Sequence, residues 1–63
     1  MKEYLELFRA VAEEMQITAS DAELLADMTM SVKEYDGERW LVVSWRGKPV
    51  AEWHGHWRWI FHK

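Results

Sequence analysis

The sequence contains no cysteine among its 63 residues. This absence excludes disulfide bonds and thiolate metal sites, and such a composition is typical of proteins in a reducing compartment. Apolar runs such as residues 41–43 are far too short to span a membrane, and the charged N-terminal segment lacks the apolar stretch of a signal peptide. We therefore expect a single domain over residues 1–63 that is cytoplasmic and does not enter a membrane.

Residues that commonly carry catalysis are also scarce. The chain has only three serines, one of which (Ser20) is expected to cap a helix, and it has neither a glycine-rich phosphate loop nor a nucleophile elbow. A chain of this length offers little room for a deep pocket around a catalytic pair. We expect a protein that is not an enzyme and that binds no cofactor.

The charges are distributed unevenly along the chain. Residues 1–38 hold ten acidic and three basic side chains, whereas residues 39–63 hold five basic side chains and one acidic residue, Glu52. This division indicates two electrostatically distinct faces. Alternatively, the two halves attract one another within the fold or across a homodimer.

Two helices are predicted in the acidic half. Apolar residues recur at helical spacing over residues 2–16 at Tyr4, Leu7, Val11 and Met15. A second helix is expected over residues 20–28, because Ser20 and Glu23 have the spacing of a capping box. Leu24, Leu25 and Met28 would form its apolar side.

Strands are predicted over residues 29–35 and 39–46, joined by a tight turn around Gly37. A three-residue turn with a glycine bulge would place Val32 opposite Trp40 and Met30 opposite Val42. A two-residue Asp36-Gly37 turn would instead pair Lys33 with Trp40. We favour the bulge, because it brings apolar side chains together on one face.

A third strand is predicted over residues 50–61, after a type II′ turn at Gly47-Lys48. Its side chains alternate for more than ten residues. One face would carry Ala51, Trp53, Trp57, Trp59 and Phe61, and the other Glu52, His54, His56, Arg58, Ile60 and His62. We favour one long strand bent at Gly55 over two strands separated there.

The predicted fold class is α+β, with the order α-α-β-β-β. Two N-terminal helices would pack on one face of an antiparallel meander of three strands, or of four strands if the last one splits. The helix-covered face would carry Met30, Val32, Trp40, Val42, Trp53 and Trp57. No predicted element remains to cover Leu41, Val43, Trp45 and Val50 on the other face.

The uncovered face is the predicted site of function. All five tryptophans lie within the last 24 residues, and tryptophan and arginine dominate binding hot spots. We expect a non-catalytic module that regulates or inhibits a larger protein through this face, and that also forms a homodimer. The predicted partner-binding residues are Trp45, Arg39, Arg46, Arg58, Leu41, Val43 and Lys48. Trp45 would be exposed and Trp40 buried.

The C-terminal half of the chain could carry two other kinds of site. Bases of single-stranded DNA or RNA could stack on the same tryptophans while the cationic side chains bind phosphates, although the net charge is −3. His54 and His56 share one side of a strand and are weak candidates for a metal site, with Glu52 nearby. His62 would lie about 20 Å beyond them on a continuous strand, so no metal is expected.

Overall fold

The structure, a computed structural model, describes the backbone of residues 2–55 and 58–62 and the side chains of residues 4–55 and 59–62. Its elements are α1 (Lys2–Glu14), α2 (Asp21–Asp27), β1 (Met28–Tyr35), β2 (Glu38–Trp45), β3 (Lys48–His54) and β4 (Arg58–Phe61). The strands form one antiparallel sheet in the order β1-β2-β3-β4. The α+β class and the order of helices before strands are confirmed. Within the described residues, neither helix is long and apolar enough to cross a membrane.

Local hydrogen bonds fix the ends of the two helices. After α1, Gln16 has a positive φ of 57°, and the Gln16 and Ile17 N–H groups donate to the Glu13 and Ala12 carbonyls. This arrangement is a Schellman motif, which reverses the chain at the end of a helix. At the start of α2, the predicted capping box between Ser20 and Glu23 is confirmed.

The turn between β1 and β2 differs from the favoured prediction. Asp36 and Gly37 both have positive φ, 52° and 79°, as a two-residue type I′ turn requires. The turn pairs Tyr35 with Glu38 and Lys33 with Trp40. The predicted glycine bulge is therefore wrong, and the alternative two-residue turn is present.

This shift of one residue reverses the faces of β2, because neighbouring side chains of a strand point to opposite sides of a sheet. Val43 pairs with Met30 and Leu41 with Val32. We call the face that carries these four residues the helix side, since Met30 and Val43 pack with residues of α1 and α2. The opposite face, the open side, carries Trp40 and Val42. The predicted assignment of Leu41, Val43 and Trp45 to the uncovered face, and of Trp40 and Val42 to the helix-covered face, is wrong.

The turn between β2 and β3 lies one residue earlier than predicted. Its central residues are Arg46 and Gly47, with φ of 50° and 82°, so the type II′ turn at Gly47-Lys48 is also incorrect. The pairing of β2 with β3 then shifts between Val43 and Ser44. The shift leaves Val50 as the extra residue of a β-bulge, so that Val50 and Ala51 are both buried.

The last predicted strand is divided into β3 and β4, which pair antiparallel. The favoured single strand is therefore wrong, and the alternative split near Gly55 is present. The predicted alternation nevertheless holds for the described side chains, since Trp53 pairs with Trp59 on the helix side and Glu52 with Ile60 on the open side. His56 and Trp57, which were also placed by that alternation, lie outside the described residues.

The helices cover only one end of the sheet. The buried core contains Phe8, Val11, Ala12, Leu24, Met28, Val43, Val50 and Ala51. Towards the Asp36-Gly37 turn, Val32 lies on the same side of the sheet but is 64% exposed. The β1–β2 hairpin therefore extends beyond the helices and carries the apolar helix side into solvent.

The two registers can be distinguished by truncating one valine at a time. Val43→Ala removes methyl groups from a side chain that is 0% exposed, and should lower the free energy of unfolding by about 2 kcal/mol. Val32→Ala is the same change on the same side of the sheet, and it should lower the free energy of unfolding by less than about 1 kcal/mol. Urea unfolding followed by circular dichroism measures both values. A larger loss for Val32→Ala than for Val43→Ala would support the predicted register instead.

Candidate functional site

An apolar groove lies on the exposed end of the helix side. Its volume is about 310 Å³, and it is lined by Val32, Arg39, Trp40, Leu41, Trp53 and Gly55. Val32, Leu41 and Trp53 are neighbours in three adjacent strands, because Leu41 pairs with both of the other two. We call this cavity the distal groove.

Stacked aromatic rings connect the distal groove to the core. The Trp53 ring lies 6.4 Å from the Trp59 ring, which is stacked 6.0 Å from Phe61. Trp59 and Phe61 also pack against the buried core. Trp53 is therefore the outer ring of a row of three aromatic rings whose other two members pack against the core. These contacts fix the position of the Trp53 ring at the groove.

Two of the predicted partner-binding residues, Leu41 and Arg39, line this groove. The Arg39 side chain is largely exposed, and its Nε lies 3.2 Å from Glu34 Oε2 on the neighbouring strand. A pair this exposed contributes little to stability and can be rearranged easily. Arg39 and Glu34 therefore give one wall of the groove a polar, adaptable rim.

Two other predicted residues, Trp45 and Arg46, lie at the opposite end of the sheet, against α2. The Arg46 guanidinium carbon lies 4.6 Å from the centre of the Trp45 ring, and its Nε lies 3.3 Å from Asp27 Oδ2. The Arg46 N–H also donates to the Asp27 carbonyl at 2.9 Å. These contacts attach the β2–β3 turn to α2, so both side chains have a structural role within the fold.

The remaining predicted residues lie in three different environments. Val43 is completely buried and has no surface to offer a partner, and Lys48 is exposed beside the β2–β3 turn. The side chain of Arg58 lies outside the described residues. Whether Lys48 and Arg58 contact a partner stays a prediction.

A second constellation, on the open side of the sheet, joins two histidines through one carboxylate. His54 Nε2 lies 3.1 Å from Glu52 Oε1, and His62 Nε2 lies 2.6 Å from Glu52 Oε2. The His54 ring is also stacked on Trp40, with 5.6 Å between ring centres and 7° between planes. The β3–β4 hairpin brings His62 back to Glu52, which a continuous strand would have prevented.

The hydrogen bond from His54, followed by that from His62, holds the pKa of Glu52 below its ordinary value. The carboxylate is thus stabilised in its charged form. Among the described residues, no three His, Cys, Asp or Glu side chains are arranged to hold a metal ion. His56, one of the two weak metal candidates, lies outside the described residues.

No protein-family model, curated protein or solved structure matches the chain. The interpretation of the site therefore rests on its geometry. Val32 and Trp53 were not predicted as groove residues, because the sequence pattern places them in the covered core. The Asp36-Gly37 pair is the signal that could have placed them correctly, since it is a strong indicator of a two-residue hairpin turn.

The histidine cluster predicts a difference in acid stability between the wild type and Glu52→Gln. Because the folded-state pKa of Glu52 is lowered, its stabilising contribution is present above the ordinary glutamate pKa and is lost as the pH falls through the lowered value. The wild type should be more stable than Glu52→Gln near neutral pH, and the two stabilities should converge in acid. Urea unfolding between about pH 7 and about pH 3 measures this. Glu38→Gln, on the same side of the sheet, controls for the change in net charge, and parallel wild-type and Glu52→Gln curves would contradict the assignment.

Proposed function

We propose that this chain is a small protein-interaction domain that receives an apolar side chain of a larger protein in the distal groove. The observation that carries the proposal is the groove itself, in which Val32, Leu41 and Trp53 present apolar surface beyond the reach of the helices. Exposed apolar surface with a polar border is typical of interaction sites. The proposed interaction surface therefore lies at the exposed end of the helix side, whereas the sequence predicts it on the face opposite the helices.

The residue types in the groove suit a compact binding site. Tryptophan and arginine are enriched among the residues that contribute most binding free energy, and both occur here as Trp53 and Arg39. The Trp53 ring loses little freedom on binding, because it is already packed against Trp59. A groove of about 310 Å³ is at the lower end of the range for ligand pockets. It therefore suits one or two large apolar side chains of a partner.

The proposed action is occupation of the partner's surface. A domain of 63 residues that inserts nothing catalytic into its partner can act by covering a site, as a regulator or an inhibitor does. We assign it no catalytic activity and no cofactor. A cytoplasmic location is part of the same proposal, on the basis of the cysteine-free composition.

Binding of single-stranded nucleic acid is the alternative function, and the ion pairs disfavour it. Arg39 lies beside Glu34, and Arg46 lies beside Asp27 and Glu23. Phosphate binding would have to displace these carboxylates while the chain carries a net charge of −3. The same surroundings do not impede an apolar contact with Leu41 and Trp53.

The proposal can be tested by selecting peptides from a random phage-displayed library on the immobilised protein. We expect enriched peptides to contain a large apolar or aromatic residue, and Leu41→Lys to weaken their binding by at least about tenfold, which is about 1.4 kcal/mol. Ile60→Lys is the matched control, because Ile60 is an exposed residue on the open side of the sheet. Trp53→Ala provides a second groove variant, and circular dichroism establishes that each variant is folded.

Two results would overturn this function. One is the enrichment of peptides that bind Leu41→Lys and Trp53→Ala as well as they bind the wild type. The other is saturable quenching of tryptophan fluorescence by mixed-sequence single-stranded oligonucleotides that weakens steeply with added salt, which would indicate phosphate contacts.

A further inference from the structure

Exposed apolar side chains are concentrated along one edge of the sheet. Of the five large hydrophobic side chains that are exposed in the described part of the chain, Tyr4, Leu25, Val32 and Tyr35 lie in or beside β1, and only Ile60 lies elsewhere. A second cavity of about 370 Å³ follows this edge and is lined by Tyr4, Phe8, Leu25, Met28, Thr29 and Met30. We call this cavity the edge groove. It lies between the helices and β1 and does not include Leu41 or Trp53 of the distal groove.

The same edge has an unpaired strand backbone. β1 is the first strand of the sheet and, within the part of the chain that the structure describes, pairs only with β2, over eight residues without proline or a break in register. The two-residue turn makes Tyr35 and Glu38 a hydrogen-bonded pair, so the backbone groups of Met30, Val32 and Glu34 point away from β2. Such an edge can accept another strand.

We infer that two copies of this chain associate through β1, in antiparallel register about a two-fold axis at Ser31. Each Met30 is then opposite Val32 of the second copy, and the two sheets form one continuous sheet of eight strands. The occupant of the edge groove is the Val32 side chain of the second copy. It enters beside Met30, where Tyr4 and Leu25 form the outer wall.

Charge and symmetry select this register. A two-fold axis at Lys33 or at Glu34 would place two like charges directly opposite one another, which is destabilising. An axis at Val32 would place Met30 opposite Glu34, so that each Met30 would face a carboxylate instead of an apolar side chain. The axis at Ser31 instead places Met30 opposite Val32. Glu34 is then opposite Met28 at the end of the paired segment, where it lies beside its own Arg39.

This pairing is self-complementary, which is why a second copy of the chain is the occupant. Each copy contributes an exposed valine and the groove that receives it, so that one contact occurs twice in the dimer. It buries Val32, Tyr4 and Leu25 and completes the hydrogen bonds of β1. A chain this short gains substantially from a partner, because its own core contains few residues.

Sedimentation velocity over a range of protein concentrations tests the association. The wild type should dimerise, and Leu25→Lys and Val32→Lys should each weaken the dimer by at least about tenfold, because a charged side chain would enter the edge groove. Ile60→Lys should dimerise like the wild type. Thermal unfolding of each variant separates loss of the dimer from loss of the fold, and a wild type that stays monomeric at millimolar concentration would overturn the inference.

Cysteine cross-linking tests the register directly, since the chain has no cysteine of its own. In Ser31→Cys the two cysteines would lie opposite one another in a non-hydrogen-bonded pair, about 4.5 Å apart between Cα atoms, which a disulfide can span. In Lys33→Cys they would lie about 13 Å apart. Mild oxidation should cross-link Ser31→Cys at least about tenfold faster. Equal rates, or faster cross-linking of Lys33→Cys, would overturn the register.

The dimer and the proposed function share Val32, which lines the distal groove and would enter the edge groove of the second copy, but variants of other residues separate the two. Leu25→Lys leaves Leu41 and Trp53 unchanged, so a peptide selected on the distal groove should still bind that variant. Conversely, Leu41→Lys should retain the dimer, because Leu41 lies on β2 and does not line the edge groove.

Discussion

The Asp36-Gly37 turn is the constraint on which the rest of the sheet depends. With both residues at positive φ, the turn closes the β1–β2 hairpin without an extra residue and so fixes which side chains share a face. Val43 is thereby placed in the core and Val32 beyond the helices. The distal groove follows from this register, because Leu41 then lies between Val32 and Trp53 on the same side of the sheet. One more residue in the turn would turn Leu41 to the open side and abolish the groove.

The parts of the fold that depend on local signals could be predicted from the sequence. The helical spacing of α1, the Ser20–Glu23 capping box and the presence of strands after residue 28 are of this kind. The register could not be predicted from apolar pattern, because β2 has apolar side chains on both faces and either register pairs them with apolar residues of β1. In this case the chemistry of the turn was the better guide.

The contact between Glu52 and His62 was not predicted from the sequence, for a related reason. The connection of three residues between β3 and β4 preserves the alternation of side chains, so one long strand and a hairpin have the same pattern.

The two ends of the sheet have different roles in this account. At the helix-covered end, Arg46 and Trp45 attach the β2–β3 turn to α2, and the buried valines and alanine complete the core. At the other end, apolar side chains remain exposed and form the distal groove. Arg46 and Trp45, which were predicted to contact a partner, thus make contacts within the fold. The proposed binding surface combines Val32 and Trp53, which were predicted to lie in the core, with Leu41 and Arg39, which were predicted to contact a partner.

The register is tested most directly by nuclear Overhauser effects between backbone protons of β1 and β2. Hα protons approach closely only across non-hydrogen-bonded pairs of an antiparallel sheet. With the Asp36-Gly37 turn, these pairs include Val32 with Leu41 and Met30 with Val43. We expect strong Hα–Hα effects for both pairs in the isotopically labelled protein. The bulged turn would make Val32–Trp40 and Met30–Val42 hydrogen-bonded pairs. Strong Hα–Hα effects between Lys33 and Arg39 and between Ser31 and Leu41 would therefore establish that turn instead, and would contradict the distal groove and the function proposed for it.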